Sequence, residues 1–208
     1  MRPPERTRVR VSPGAPALLA VFVWLSSPEV LGAVLLAALC HELGHYAVLR
    51  SRGGWVRHME ISALGANMQV AGRLSYGSEL LAAAGGPAVN LLLAAALAAL
   101  GRWWEPLYLL AGAQAVLGCF NLLPILPLDG GRMLWLALCW RTDPFLADRM
   151  AGGVSLAAAG LLTAAGAALA RRSPFLLWTA VCLLCCTAGP CIKRRKSVYA
   201  SGKREASA

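Results

Sequence analysis

Apolar residues in this chain come in long blocks, each close to the length of a bilayer span, and the polar positions collect in the short stretches between them. A short apolar run covers about Pro16 to Ser26, and "SSPE" follows it, where Ser27 can cap and Pro28 can open a helix that runs to about Arg52. A third block extends from about Ser78 to Leu100. "GRWWEP" then supplies interfacial tryptophans before a fourth block begins near Pro106. That fourth block is interrupted by "NLLPILPLDGG", Asn121 to Gly131. Its two prolines and two glycines at membrane depth require protein or a water-filled cavity to satisfy the freed backbone groups. A helix is expected to resume through about Trp140, with a fifth span near Leu146 to Ala170 and a sixth near Pro174 to Cys191. Between spans two and three, "WVRHMEISALGANMQVAG" reads as two short extended runs around the turn-like "LGAN". The expected fold is an all-α polytopic membrane protein of about six transmembrane helices, with a small β-hairpin between spans two and three and a broken fourth span.

Composition agrees with that pattern. At 58% apolar and 14% charged residues, the 208-residue chain is too apolar for an ordinary soluble domain. The net charge of +10 does not indicate nucleic acid, because the basic residues sit at the ends of apolar blocks rather than along an amphipathic face. Membrane topology accounts for them. With the N-terminus in the cytoplasm, the inner segments hold 16 basic residues: Arg2, Arg6, Arg8, Arg10, Arg50, Arg52, Arg57, Arg73, Arg141, Arg149, Lys193, Arg194, Arg195, Lys196, Lys203 and Arg204. The outer loops hold three, Arg102, Arg171 and Arg172, and Arg132 stays in the membrane. The asymmetry predicts both termini in the cytoplasm, and a multi-pass protein of a bacterial cytoplasmic membrane. The basic start followed by an apolar run is expected to be a first span rather than a cleaved signal, since no convincing small-residue cleavage site follows it. Residues 1–13 form a basic tail, 14–191 the membrane domain and 192–208 a second basic tail, too short to fold alone and expected to be disordered.

The chemistry collects in one apolar stretch, "LCHELGHYAVLR". His41 and His45 are four residues apart, so they project from one face of the second span close enough to share a metal, and Glu42 lies on the adjoining face. Ionisable groups inside a span are costly and normally face a functional interior. Metal coordination, with a carboxylate to take a proton from water, gives all three a reason to be there. A catalytic zinc usually has three protein ligands, and one is missing. Only Glu42 and Asp129 among the ten acidic residues fall well inside membrane segments, which makes Asp129 the best third ligand. The competing reading is that Asp129 caps a helix beginning at Gly130. The remaining histidine, His58, is read as a surface or interfacial residue. The seven cysteines, including "CLLCC" at 182 to 186, are read as small apolar side chains.

Three stretches together, "HELGH" at 41 to 45, "GGPAVN" at 85 to 90 and "NLLPILPLDGG" at 121 to 131, resemble the site-2 protease family of intramembrane zinc metalloproteases, peptidase family M50. The arrangement is most similar to its sporulation-type branch, and the resemblance covers about residues 28 to 140. It implies one zinc ion per chain on His41, His45 and Asp129, Glu42 polarising the attacking water, and Asn121 near the active site. Peptide hydrolysis also needs donors facing a developing oxyanion, a role an amide such as Asn121 can fill. Asn90 either lines the substrate cleft or hydrogen-bonds between spans, whereas Gly85 and Gly86 are read as permitting close helix packing. The expected partners are the lipid bilayer, a membrane-associated protein substrate and a regulatory membrane partner. By the same resemblance the substrate is a pro-protein such as a pro-sigma factor, cut near the cytoplasmic face in regulated intramembrane proteolysis. Two features depart from the family: about seventeen residues follow the last span, where sporulation-type members often carry a nucleotide-sensing CBS domain, and no PDZ-like insert is present. A membrane metal transporter or an inactive protease-like scaffold are the alternatives. A transporter would spread its polar ligands along a path, and a scaffold would leave the intact base and ligand set unexplained.

Overall fold

A computed structural model of the chain describes residues 8–11, 23–24, 26–62, 65–71 and 74–169. These form three strands and five helices: β1 (Arg8–Val11), α1 (Pro28–Ser51), β2 (Trp55–Ser62), β3 (Gly65–Ala71), α2 (Tyr76–Leu100), α3 (Leu107–Asn121), α4 (Asp129–Arg141) and α5 (Pro144–Leu169). The chain divides into two compact units, the first ending at Asn121 and the second beginning at Leu122.

In the first unit, α1 begins where its sequence says it should. Ser27 is the N-cap, its side chain facing the Val30 amide, and Pro28 occupies the first turn, where its missing N–H costs nothing. The helix ends on two glycines. Gly53 takes the left-handed conformation, φ 77°, and donates its N–H to the Arg50 carbonyl, while the Gly54 N–H donates to Leu49, each at 3.1 Å. This paired closure satisfies carbonyls that the helix end would otherwise leave free. The chain then enters β2, which pairs antiparallel with β3 from Trp55↔Ala71 to Ser62↔Gly65, with a register shift between Val56 and His58. The basic N-terminal tail was not expected to contribute to this sheet. It adds β1, parallel to β2 from Arg8↔His58 to Val11↔Ile61, so the strand order is β1-β2-β3.

Helices α1, α2 and α3 pack on one another. The α1–α2 crossing is close because both helices present glycine there. A Cβ on Gly44 would sit 2.5 Å from the Gly85 carbonyl oxygen, and one on Gly85 would sit 2.7 Å from that of Gly44. Such backbone-to-backbone approach is how apolar helices gain packing where no hydrophobic effect between them is available. Pro87 lies inside α2, where it withdraws one donor from the helix ladder.

In the second unit, residues 122–128 form the expected interruption, with a cis Leu126–Pro127 bond, and α4 packs against α5. Two of the freed backbone groups are met by one side chain of α5. Ser155, buried, accepts from the Leu126 N–H at 3.0 Å and donates to the Pro124 carbonyl at 3.3 Å. The two glycines that open α4 let the segment fold back on it. A Cβ on Gly131 would lie 2.5 Å from the Ile125 carbonyl carbon and the Leu126 nitrogen, and one on Gly130 would collide with the Leu122 carbonyl. The Trp135 indole N–H donates to Asp148 across the α4–α5 contact.

Three helices, Pro28–Ser51, Tyr76–Leu100 and Pro144–Ala168, are long and apolar enough to cross a membrane, and Leu107–Asn121 is a shorter apolar helix. They present large apolar side chains outward, among them Leu92, Val116 and Leu161, each at least 70% exposed. A soluble protein of this size rarely shows so much uncovered apolar surface, and hydrocarbon is the solvent that suits it. The chain is a membrane protein. Of the six expected spans, the sixth and nearly all of the first lie outside the described residues, as does the C-terminal tail.

Candidate metal centre

The first unit places His41 and His45 on one face of α1, with their ring centroids 4.6 Å apart and their planes at 86°. Their Nε2 atoms are 3.0 Å apart. His41 is buried, and Glu42 and His45 are half-buried. The Nδ1 atom of His45 lies 2.8 Å from the Ala82 carbonyl oxygen on α2 and 3.3 Å from the Gly86 nitrogen. A carbonyl can only accept, so the shorter contact puts the proton on Nδ1, where it is donated to Ala82. That tautomer leaves the His45 Nε2 lone pair directed at its neighbour, the arrangement a metal-ligating imidazole adopts.

The pair fits a zinc ion on the chemistry of its donors. Two nitrogens about 2.0–2.1 Å from a tetrahedral zinc would stand roughly 3.3 Å apart, close to the separation seen here. Gly86 also keeps the approach open, since a Cβ on that residue would strike His45 Nε2 and come within 2.8 Å of His41 Cε1.

Asn90 and Asn121 belong to the same unit. Asn90 is completely buried on α2, and neither polar atom of its side chain has a hydrogen-bond partner among the described residues. Asn121 ends α3, half-buried, and donates from Nδ2 to the Leu117 carbonyl at 3.1 Å, which leaves its second amide hydrogen for another acceptor. Gln114 on α3 escaped the sequence reading. It is 1% exposed and its Oε1 has no partner among the described residues, and the signal for it was a lone amide within "LYLLAGAQAVLG". A buried amide left unbonded costs about 1–3 kcal/mol, so Asn90 and Gln114 mark an interior that suits a polar occupant such as water.

Asp129 lies in the second unit, at the head of α4. The helix begins at Asp129 rather than at Gly130, and its N-cap is Leu128, whose side chain makes no capping hydrogen bond. His58 lies in β2, its Cα paired with those of Arg8 and Gln69. Cys40, Cys119 and Cys139 form no disulfide among the described residues, and the other cysteines lie outside those residues.

Comparisons with known proteins find similarities of sequence and of fold. The model for peptidase family M50 matches residues 95–165, a range that includes Asp129 and stops short of the histidine pair. "Putative zinc metalloprotease Rip3" of Mycobacterium tuberculosis, in two strains, is 34% identical over 163 residues, which is 70% of this chain and 39% of that protein. The chain thus spans about two-fifths of the length of the curated relatives it matches. The fold is shared with the site-2 protease from Methanocaldococcus jannaschii, with a TM-score of 0.69 and 21% identity, covering 86% of this chain and 88% of that one. The chain thus resembles peptidase family M50 over residues 95–165 and shares its fold with a site-2 protease.

Proposed function

We propose that this chain is an intramembrane zinc metalloprotease that hydrolyses a peptide bond of a membrane-associated protein. The observation that carries the reading is the facing pair of His41 and His45 Nε2 atoms, 3.0 Å apart on an apolar helix that also holds Glu42. Asp129, which with Glu42 is one of the two acids the sequence places well inside membrane segments, is the proposed third ligand. Two imidazoles and a carboxylate are a donor set that catalytic zinc uses, with a further position left for water or substrate.

Zinc bound there would supply a Lewis acid that polarises the scissile carbonyl and makes water acidic enough to attack at neutral pH. The chain's own residues do the rest. Glu42, one residue along from His41, takes the proton of the attacking water and delivers it to the leaving amine. Asn121 offers its second amide hydrogen to the oxyanion that develops on the carbonyl oxygen. Asn90 lines the polar interior on the α2 side and binds substrate or the water associated with it. The β2–β3 hairpin presents an edge on which substrate can lie as an added strand, the form in which a peptide bond is open to attack.

Charge asymmetry supports both termini in the cytoplasm. With α1 leaving the outer face near Glu29, His41 and His45 lie about 18 to 24 Å along it at 1.5 Å per residue, in the cytoplasmic half of a hydrocarbon core roughly 30 Å thick. Cleavage then occurs near the cytoplasmic boundary of the substrate and releases a product inward, which suits a pro-sigma factor or a similar pro-protein. Purified protein in lipid should contain about one zinc per chain and cut a single-span substrate carrying such a boundary. Protein that holds zinc but transports it without cleaving any such substrate would point instead to a transporter.

A further inference from the structure

We propose that Gly86 is a positioning residue for the histidine pair, and that α2 holds His45 in a cradle made of backbone alone. The proposal rests on the metal-site reading above. Ala82 and Gly86 are four residues apart, so they occupy one face of α2, one turn from each other. The Ala82 carbonyl receives the His45 Nδ1 proton at 2.8 Å. At the other end, the α-carbon of Gly86 faces the Nε2 edge of the same ring: a Cβ there would collide with His45 Nε2 and stand 2.8 Å from both His45 Cδ2 and His41 Cε1. The imidazole is thus fixed at one edge by a hydrogen bond, while its ligating edge is left clear because residue 86 has no side chain.

Neighbouring Gly85 has a different task. Its absent Cβ faces the Gly44 backbone and Val48, which is helix packing and not the ring. The two adjacent glycines separate structure from site. Ala at 85 presses helix on helix, whereas Ala at 86 presses on the ligating Nε2 of His45 and on Cε1 of His41 beside its own Nε2. The ring of His45 must then rotate or retreat, which breaks the bond to Ala82 and turns Nε2 away from His41.

The test is Gly86→Ala, read without activity. In the metal-free protein with labelled histidine, the imidazole nitrogen shifts of His45 should report loss of the Nδ1-protonated tautomer, while Gly85→Ala lowers thermal stability and leaves those shifts in place. Zinc affinity should fall about 10–100-fold in Gly86→Ala, the usual cost of disturbing what orients a ligand. The absorption of a cobalt-substituted sample should depart from that of the parent. Where Gly86→Ala does not fold, the double variant Gly86→Ala with His45→Ala should recover the stability of His45→Ala, because the clash has lost two of its three partners. Unchanged imidazole shifts with unchanged cobalt absorption, or a double variant as unstable as Gly86→Ala alone, would overturn the proposal. A parent protein that binds no zinc but shows the expected shift change removes the zinc reading and leaves the cradle standing.

Discussion

Glu42 and Asp129 are both carboxylates on helices, and the proposed chemistry assigns them different work that separate measurements can distinguish. Glu42→Gln keeps the size of the side chain and both histidines, but an amide cannot accept a proton from water. Zinc content should therefore stay near one per chain while the rate of peptide cleavage falls by roughly two to four powers of ten. Near-normal turnover would remove Glu42 as the base. Asp129→Ala takes away a proposed ligand instead, so zinc occupancy should fall together with activity when both are assayed on the same preparation. Full zinc retention in that variant would show Asp129 to lie outside the ligand set.

At the scale of the element, the interrupted segment 122–128 depends on a side chain that comes from another helix. Ser155 is positioned to be both acceptor and donor, to Leu126 and Pro124, because a hydroxyl can do both at once. Ser155→Ala leaves a part-buried N–H without its acceptor and should cost about 1–3 kcal/mol of stability, read as a lower midpoint of thermal unfolding in detergent. Gly131→Ala should cost more, since its Cβ would meet the Ile125 and Leu126 backbone, which cannot move aside as a flexible side chain could. A midpoint for Ser155→Ala equal to that of the parent would mean that other groups satisfy the segment. The glycines of "LDGG" are legible in the sequence as an irregular turn, but their reason is contact with residues before them in the chain, which composition does not display.

For the whole molecule, helix length sets what each element can do in a bilayer. Helices α1, α2 and α5, of 24, 25 and 26 residues, exceed a hydrocarbon core of roughly 30 Å at 1.5 Å per residue. Helices α3 and α4, of 15 and 13 residues, extend only about 20 Å each and fall short of it. Irregular backbone between two such short helices needs protein or water around it, and the proposed orientation sends that water in from the cytoplasm. Single cysteines placed at residues 122–128 in a cysteine-free background should react with a membrane-impermeant thiol reagent supplied from the cytoplasmic side and be protected from one supplied outside. Preferential labelling from outside would reverse the orientation and, with it, the class of substrate proposed.

Sequence alone determined the features whose causes are local. Apolar blocks of span length, the Ser27–Pro28 helix start, the i, i+4 histidines and the proline and glycine interruption all follow from residues within a turn or two of one another. The choice of Asp129 as a ligand candidate also came from the sequence, by elimination, because acidic residues in apolar segments are so few. Tertiary structure decided what depends on residues far apart in the chain. The β1 strand pairs Arg8 with His58, His45 finds its carbonyl 37 residues away at Ala82, and Ser155 reaches back 29 residues to Leu126. It also separated Gly85, which faces a helix backbone, from Gly86, which faces the imidazoles, although the two are adjacent and chemically identical. Periodicity reports which face of its own helix a residue occupies, but what lies opposite that face is set by how the helices pack, and no local pattern encodes it.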